Sequence, residues 1–171
     1  LNKLNIYDIF FSVISSLSNS GLSLSKMPQN ITLYFIFITL VGGSLISNTS
    51  GIKLMRFYIL LKTVSSEIIR LVRPNEIINQ SIFNSNKKIS SENIKFSFLI
   101  FISFFISLFI LSSLLILDTI NFETSFKLSI LALTNTVNSN LYGLENIDFS
   151  NLLTSSKISL IIFMIIGKIE L

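Results

Sequence analysis

The sequence predicts an all-α polytopic membrane protein, built from repeats of a short helix, a polar turn and a longer helix. Half of the 171 residues are hydrophobic, only 13% are charged, and the mean hydropathy is +0.73. These values lie outside the range of soluble globular domains. The segment from Phe96 to Leu117 carries no charge, and at about 20 residues such a segment can cross a hydrocarbon core. The third observation is a pattern that occurs twice along the chain.

The repeated pattern begins with an apolar segment that is too short to span. Tyr7 to Ser18 would form a helix of about 18 Å, and it runs into the turn-prone residues Asn19 to Leu22. Alone, it fits either a re-entrant pore helix or an amphipathic surface helix. Phe126 to Val137 is also too short, and is followed by Asn138 to Leu141 and an apolar helix from Ile158. This recurrence favours re-entrant helices, and we align Asn19 with Asn138.

A polar interruption, Gly42 to Lys53, follows the apolar segment Ile31 to Val41. That apolar segment crosses only about half of a ~30 Å hydrocarbon core, so irregular backbone begins near the middle of the membrane. Lipid cannot satisfy its polar groups, and such backbone occurs only when buried in protein or lining a water-filled cavity. The interruption therefore indicates a transport pathway. Its small and hydroxyl residues suit a mobile plug, or alternatively close helix packing; they are Gly42, Gly43, Ser44, Ser47, Thr49, Ser50 and Gly51.

Charge sets the predicted topology and excludes several classes of function. Residues 53–95 are rich in Lys and Arg and residues 118–157 are rich in acids, so the first stretch is predicted to be cytoplasmic and the second external. We interpret the basic stretch as a solvated face and predict no nucleic-acid partner. The chain has no Cys and no His, which excludes disulfides and Cys-ligated metal sites and removes the commonest general base.

Lys168 is the one charge placed deep in an apolar segment. If Lys157 lies at the external interface, Lys168 is about 16 Å deeper along a helix, near the bilayer midplane. A charge there is costly unless it faces water or a partner, so we predict that Lys168 projects into a pathway. The alternative is a lysine that snorkels to the interface. Lys53 and Arg56 are instead predicted to be anchoring charges at the cytoplasmic end of the broken helix.

The chain divides into three predicted regions: residues 1–73, a cytoplasmic connection 74–94, and residues 95–171. The connection follows a helix predicted over Leu54 to Val72 that stops at Arg73-Pro74. Residues 77–94 suggest a short hairpin or loop. The chain starts at Leu1 and its last apolar run, from Ile158, is too short to span, so we expect a piece of a longer polypeptide whose isolated form does not conduct ions.

Five segments together resemble the Trk/Ktr/HKT superfamily of potassium transporters, within it the TrkH-type membrane subunit. Phe11 to Ser23 (FSVISSLSNSGLS) is similar to a pore helix and filter, and Gly42 to Arg56 to the family's GGSxGSTAGGIKxxR. Glu67 to Asn75 (EIIRLVRPN) is similar to EIxRLxHP, and Lys157 followed by the residues Gly167 to Leu171 is similar to a K followed by GRLEL. Ile46, Asn48, Thr49 and Ser50 depart from the family's loop pattern.

The resemblance implies four helix-pore loop-helix repeats around one cation pore, of which about two are present here. It implies potassium uptake across the cytoplasmic (inner) membrane, driven by diffusion or ion coupling, with K+ as the transported ion, no bound cofactor and no enzymatic activity. The implied partners are an identical second subunit and a cytoplasmic nucleotide-binding regulatory subunit on the basic 53–95 face. Lys168 stands where the family has Arg. Residues 42–51 would form a gating loop.

The implied selectivity filter uses main-chain carbonyls at positive-φ turns. Asn19, Ser20 and Gly21 would line it in one repeat, and Asn138, Ser139 and Asn140 in the other. The second turn has no Gly at the expected place. Asn140 takes that place in our alignment because Asn tolerates positive φ, with Ser139 or Val137 as alternatives. Loss of this glycine leaves a sodium-permeable member open, and an unrelated polytopic membrane enzyme or assembly subunit is the other alternative.

Overall fold

A computed structural model describes residues 5–23, 31–43, 49–73, 89–136, 140–144 and 149–169. These parts of the chain are helical apart from two very short strands, which confirms the predicted fold class. The elements, in order, are α1 (Ile6–Leu17), α2 (Thr32–Leu40), β1 (Val41–Gly42), β2 (Ile52–Lys53), α3 (Leu54–Val72), α4 (Ser91–Leu117), α5 (Phe122–Leu133), two short 3-10 helices (Asn140–Tyr142 and Phe149–Asn151) and α6 (Thr154–Lys168).

Among the described helices, α4 is the one long and apolar enough to cross a membrane. It begins at Ser91, inside the connection predicted to extend to residue 94, because the Ser90 side chain accepts a hydrogen bond from the Asn93 amide at 3.2 Å. Such a cap stabilises a helix start. The buried residues of α4 recur every three or four positions and so lie on one side of the helix, while the other side exposes large apolar residues. The buried apolar residues are Ile100, Phe104, Leu108, Leu111 and Leu115.

The core lies around α5. The side chains of Leu128, Leu131 and Leu133 are 0% exposed, and α4 and α6 pack on this helix. A short helix covered in this way does not lie on the surface of the fold, and the re-entrant interpretation of α1 and α5 stays a prediction. In α1, Ser12 and Ser16 are fully buried, and their hydroxyls donate to carbonyls one turn back, Ser12 to Asp8 at 2.7 Å.

The helix that contains Gly42 is broken, as predicted. Strands β1 and β2 run parallel, with Val41 beside Ile52 and Gly42 beside Lys53. Residues 43–51, named the 43–51 loop below, connect α2 to α3, and of these the structure describes Gly43 and residues 49–51. Helix α3 has the predicted bounds. The Lys53 side chain is only 2% exposed, so the prediction that it anchors the helix at the membrane surface was wrong, because an anchoring ammonium must reach the headgroups.

Candidate functional site

The helices α1 and α5 end in the same kind of turn. Asn19 has φ +54° and Asn135 has φ +56°, a left-handed conformation that favours Asn among residues other than Gly. In each turn, the amide after the Asn donates across it to a carbonyl of the helix, from Ser20 to Ser15 at 3.0 Å and from Thr136 to Leu131 at 2.9 Å. We call residues 18–21 the first turn and residues 134–136 the second turn.

The side chains beside the two asparagines also match. The Ser18 hydroxyl donates to the Ser20 hydroxyl at 3.2 Å, and the hydroxyls of Thr134 and Thr136 are hydrogen-bonded at 2.8 Å. Each turn therefore has a hydroxyl residue on both sides of its Asn, joined by a hydrogen bond. The two turns are equivalent residue by residue.

This equivalence corrects the alignment of the second turn. Asn19 corresponds to Asn135, not to Asn138, because α5 ends at Leu133 rather than at the predicted Val137. The same offset places Val137 opposite Gly21, which was one of the alternatives. Asn138 and Ser139 lie outside the described residues, and Asn140 begins a 3-10 helix. The signal for this register in the sequence is the pattern hydroxyl-Asn-hydroxyl, which occurs at residues 18–20 and at residues 134–136.

Both turns offer negative potential to a cation. Each lies at the carboxyl end of a 12-residue helix, where free carbonyls and the helix dipole give a partial negative charge. Gly21 also has positive φ, +67°, so the first turn contains two left-handed residues within three positions. Such backbone can direct successive carbonyl oxygens toward one point.

Ser50 brings the two turns together. The Asn19 side-chain amide donates to the Ser50 main-chain oxygen at 2.7 Å, and the Asn135 side-chain amide donates to the Ser50 hydroxyl at 2.9 Å. Next to it, Gly51 has φ +92°, and a Cβ there would lie 3.4 Å from the Thr134 methyl carbon. The end of the 43–51 loop is thus wedged between the two turns.

The two ends of the 43–51 loop are also in contact with each other. The Gly43 amide donates to the Thr49 hydroxyl at 2.9 Å, and a Cβ on Gly42 would lie 2.6 Å from the Ser50 main-chain oxygen. The small residue at position 42 is therefore required by the loop itself, whereas the helix-packing alternative requires close contact with a neighbouring helix. Ser44 and Ser47 lie outside the described residues.

The carboxyl end of α6 packs against the second turn. Asn135 donates a second hydrogen bond, to the Met164 main-chain oxygen at 3.1 Å, and a Cβ on Gly167 would lie 2.9 Å from the Leu133 carbonyl carbon. Lys168 is exposed and lies one helical turn beyond Met164. Lys157, at the other end of α6, donates to the Ser150 main-chain oxygen at 2.9 Å. Lys168 therefore lies near the end of α6 that contacts the second turn.

Comparison with known proteins shows which family has this arrangement. No protein-family model matches the chain. It is 28% identical over 177 residues to the Trk system potassium uptake protein TrkH of Salmonella typhimurium, covering 97% of this chain and 36% of that protein. It is 27% identical over 170 residues to TrkH of Escherichia coli K12, covering 98% and 34%. An uncharacterized cation transporter of Methanocaldococcus jannaschii is 26% identical over 141 residues, covering 75% and 30%.

A solved structure has the same fold. The crystal structure of the potassium transporter TrkH from Vibrio parahaemolyticus matches with a TM-score of 0.82 and 18% sequence identity, covering 95% of this chain and 35% of that one. The chain is similar to TrkH in sequence and in fold, which confirms the resemblance to the Trk/Ktr/HKT superfamily. It spans about a third of the length of the curated relatives it matches.

Two acidic residues of the chain have local hydrogen-bond partners. Asp118 accepts a hydrogen bond from the Leu153 amide at 3.0 Å, and Glu123 accepts one from Lys127 at 2.6 Å. That hydrogen bond, with the nearby ammonium charge, lowers the pKa of Glu123. Among the described residues, no group of three or more acids forms a possible metal site. Asp118 and Glu123 thus have local structural partners, and the relatives named above have transport names.

Proposed function

We propose that the natural polypeptide containing this chain takes up potassium across the cytoplasmic membrane through a filter lined by main-chain carbonyls. The observation that supports this most is the pair of equivalent turns at the carboxyl ends of α1 and α5, both in contact with Ser50. Residues 18–21 and 134–137 would line the filter, and residues 138–140, which follow directly, would continue the lining of the second repeat.

In this proposal, the carbonyl oxygens replace part of the hydration shell of K+, and the helix dipoles stabilise its charge. The 43–51 loop closes the pathway below the turns, because its end lies between Asn19 and Asn135. Lys168 would face the same pathway from α6 and repel cations when the loop is closed. The proposal also includes insertion into the cytoplasmic membrane by several passes of the chain. The proposed partners are a second identical subunit and a regulatory subunit on the basic 53–95 face.

Rubidium uptake in a host that lacks potassium transport tests the function directly. The natural polypeptide should restore growth at low potassium and accumulate rubidium, because rubidium closely resembles K+ in a carbonyl-lined filter. Purified protein in liposomes should pass a potassium current. The absence of rescue in the host, together with the absence of current in liposomes, would contradict the proposal.

A sodium-permeable transporter is the second candidate, and one position favours it. At the offset that joins Asn19 to Asn135, Val137 stands opposite Gly21, whose φ is +67°. Val137 itself lies outside the described residues. A β-branched residue is strongly disfavoured at positive φ, so the sequence at position 137 does not favour the backbone conformation that Gly21 adopts. A filter with two different halves holds a dehydrated K+ less well.

Val137→Gly is expected to raise the preference for potassium over sodium about tenfold, since restoring one well-placed carbonyl ligand contributes roughly 1.4 kcal/mol. The measurement is the reversal potential in liposomes with potassium on one side and sodium on the other. Val137→Ala is the matched control, because Ala shortens the side chain but keeps the Cβ that disfavours positive φ. Equal selectivity of the glycine and alanine variants would contradict the prediction.

A further inference from the structure

Tyr142 joins residues 95–171 to residues 1–73 through its buried hydroxyl. It is the largest fully buried side chain among the described residues, and its 3-10 helix, Asn140–Tyr142, packs on α2. The Tyr142 hydroxyl lies 2.7 Å from the hydroxyl of Thr39, which belongs to α2 and is 0% exposed. Water therefore does not compete for this hydrogen bond, and its loss is costly.

The donor in this hydrogen bond follows from a neighbouring carbonyl. The Thr39 hydroxyl donates its one proton to the Phe35 main-chain oxygen at 2.6 Å, so it accepts the proton of Tyr142. On the other side, the Tyr142 oxygen can accept, and the Ser16 hydroxyl of α1 lies beside it. Ser16 is 0% exposed, and its hydroxyl is held by the Ser12 main-chain oxygen at 2.9 Å. One tyrosine hydroxyl thus contacts both α1 and α2.

Ser16 connects this contact to the first turn. Its main-chain oxygen accepts a hydrogen bond from the Asn19 amide at 3.2 Å, and Asn19 is the residue with φ +54°. The next amide, that of Ser20, donates to the Ser15 main-chain oxygen at 3.0 Å. The carbonyls that hold the backbone of the first turn therefore belong to Ser15 and Ser16. A movement of Ser16 relative to α2 would move the first turn with it.

The main chain beside Tyr142 contacts α2 at a second level. Gly143 has φ +69°, and a Cβ there would lie 4.0 Å from the Thr32 side chain. Thr32 and Thr39 are seven residues apart on one helix, which is about 10 Å. The segment therefore meets α2 at two separated points, with its backbone near Thr32 and its tyrosine hydroxyl at Thr39. These two contacts fix where the hydroxyl lies beside α1.

We propose that Tyr142 is a positioning residue for the first turn, and that by holding Ser16 and Thr39 together it increases the preference for potassium over sodium. The inference rests on the proposed transport function. In a carbonyl-lined filter, the oxygens replace the hydration shell of the ion. A turn that is held in place keeps the spacing that suits K+, whereas a loosened turn can close around the smaller Na+.

Tyr142→Phe removes the hydroxyl and keeps the ring. The Thr39 hydroxyl still has the Phe35 main-chain oxygen as its acceptor, so no buried donor loses its partner. Losing one hydrogen bond shifts a two-state equilibrium about fivefold. We therefore expect the permeability ratio of potassium to sodium to fall about fivefold, measured as the reversal potential of the natural polypeptide in liposomes.

Further variants show whether the effect belongs to this hydrogen bond. Thr39→Val keeps the shape of the side chain and should lower the ratio as much as Tyr142→Phe does. The double variant should be as selective as either single variant, because both substitutions remove the same hydrogen bond. Thr39→Ser keeps the hydroxyl and should keep the wild-type ratio. Tyr34→Phe is the matched control, since Tyr34 is a tyrosine on α2 that is 60% exposed, and it should also keep that ratio.

The thermal unfolding midpoint separates positioning from general stability. An ion that binds the folded protein raises its midpoint, so the wild-type polypeptide should unfold at a higher temperature in potassium chloride than in sodium chloride or choline chloride. Tyr142→Phe should reduce the difference between potassium and sodium. Equal decreases of the midpoint in all three salts, with an unchanged permeability ratio, would show a purely structural role and overturn the inference.

The two measurements also distinguish this inference from the proposed function. If the wild-type polypeptide passes potassium and Tyr142→Phe is equally selective, the positioning role fails and the transport proposal stands. If the wild type passes no cation but is stabilised by potassium, and Tyr142→Phe loses that stabilisation, the transport proposal fails and the positioning role stands for ion binding. A wild type that neither passes potassium nor is stabilised by it contradicts both.

Discussion

Gly167→Ala is expected to lower the free energy of unfolding of the natural polypeptide by about 3 kcal/mol or more. The added Cβ would lie 2.9 Å from the carbonyl carbon of Leu133 and closer still to its oxygen. An ordinary carbon-oxygen contact is about 3.3 Å or longer, so α6 would have to move away by roughly 1 Å. The contact is with backbone at the end of a buried helix, which cannot rotate away as a side chain can.

The displacement would also break a hydrogen bond. Met164, one turn before Gly167, accepts from the Asn135 amide at 3.1 Å, and a shift of about 1 Å exceeds hydrogen-bond range. Overpacking at a tightly fitted site costs about 1–3 kcal/mol, and the lost hydrogen bond adds about 1 kcal/mol. We therefore expect a loss of about 3 kcal/mol or more in the free energy of unfolding.

Gly143→Ala is the matched control. A Cβ at Gly143 would meet its nearest atoms, on Thr32, at 4.0 Å, but φ is +69°. The cost there is conformational strain of about 1–2 kcal/mol with no steric clash. The measurement is the thermal unfolding midpoint of detergent-purified protein, with gel filtration for monodispersity. A Gly167→Ala protein as stable as the Gly143→Ala protein would contradict the close packing of α6 on α5.

The helix boundaries could be predicted where the sequence contains a strong local signal. Helix α3 has the predicted bounds, Leu54–Val72, because Arg73-Pro74 ends it and the interruption at Gly42 to Lys53 precedes it. The start of α4 was missed by a few residues, since the Ser90 cap was outweighed by the charges of Glu92 and Lys95. Charge alone does not exclude a helix; it only excludes the lipid core.

The internal register was the harder problem, because it depends on where α5 ends. The residues after Leu133 are still hydroxyl-rich or apolar, and nothing in Thr134 to Val137 breaks a helix as Gly or Pro would. The end is set by tertiary contacts: Asn135 adopts positive φ while its amide reaches Ser50 and Met164. Such contacts join residues far apart in the chain, so a local pattern could not reveal them.

The burial of Lys53 has the same kind of origin. Lys53 lies beside Gly42 in the parallel strand pair and is buried, whereas its position in the sequence, at the start of a basic stretch, resembles that of an ordinary anchoring lysine. The buried surfaces of this fold are formed where distant segments meet, so composition alone made Ser50 and Gly51 candidates and did not reveal the burial of Lys53.

Lys168→Gln is expected to raise basal rubidium flux about tenfold. Lys168 lies one helical turn beyond Met164, whose main-chain oxygen contacts the second turn, and in the function proposed above its ammonium faces the pathway below the turns. At an effective dielectric of about 20, a cation about 8 Å from this charge is repelled by about 2 kcal/mol. Water in the pathway weakens the repulsion, and about 1.4 kcal/mol corresponds to the tenfold change.

Two variants separate this barrier from a general effect of charge. Lys157→Gln removes the same charge from the opposite end of α6, where Lys157 binds the Ser150 main-chain oxygen at 2.9 Å, and it should change flux less than about twofold because exposed charges are well screened. Lys168→Arg keeps the charge and should transport at the wild-type rate. If Lys168→Gln also transports at the wild-type rate, the lysine snorkels to the membrane surface and the barrier must be assigned to the 43–51 loop alone.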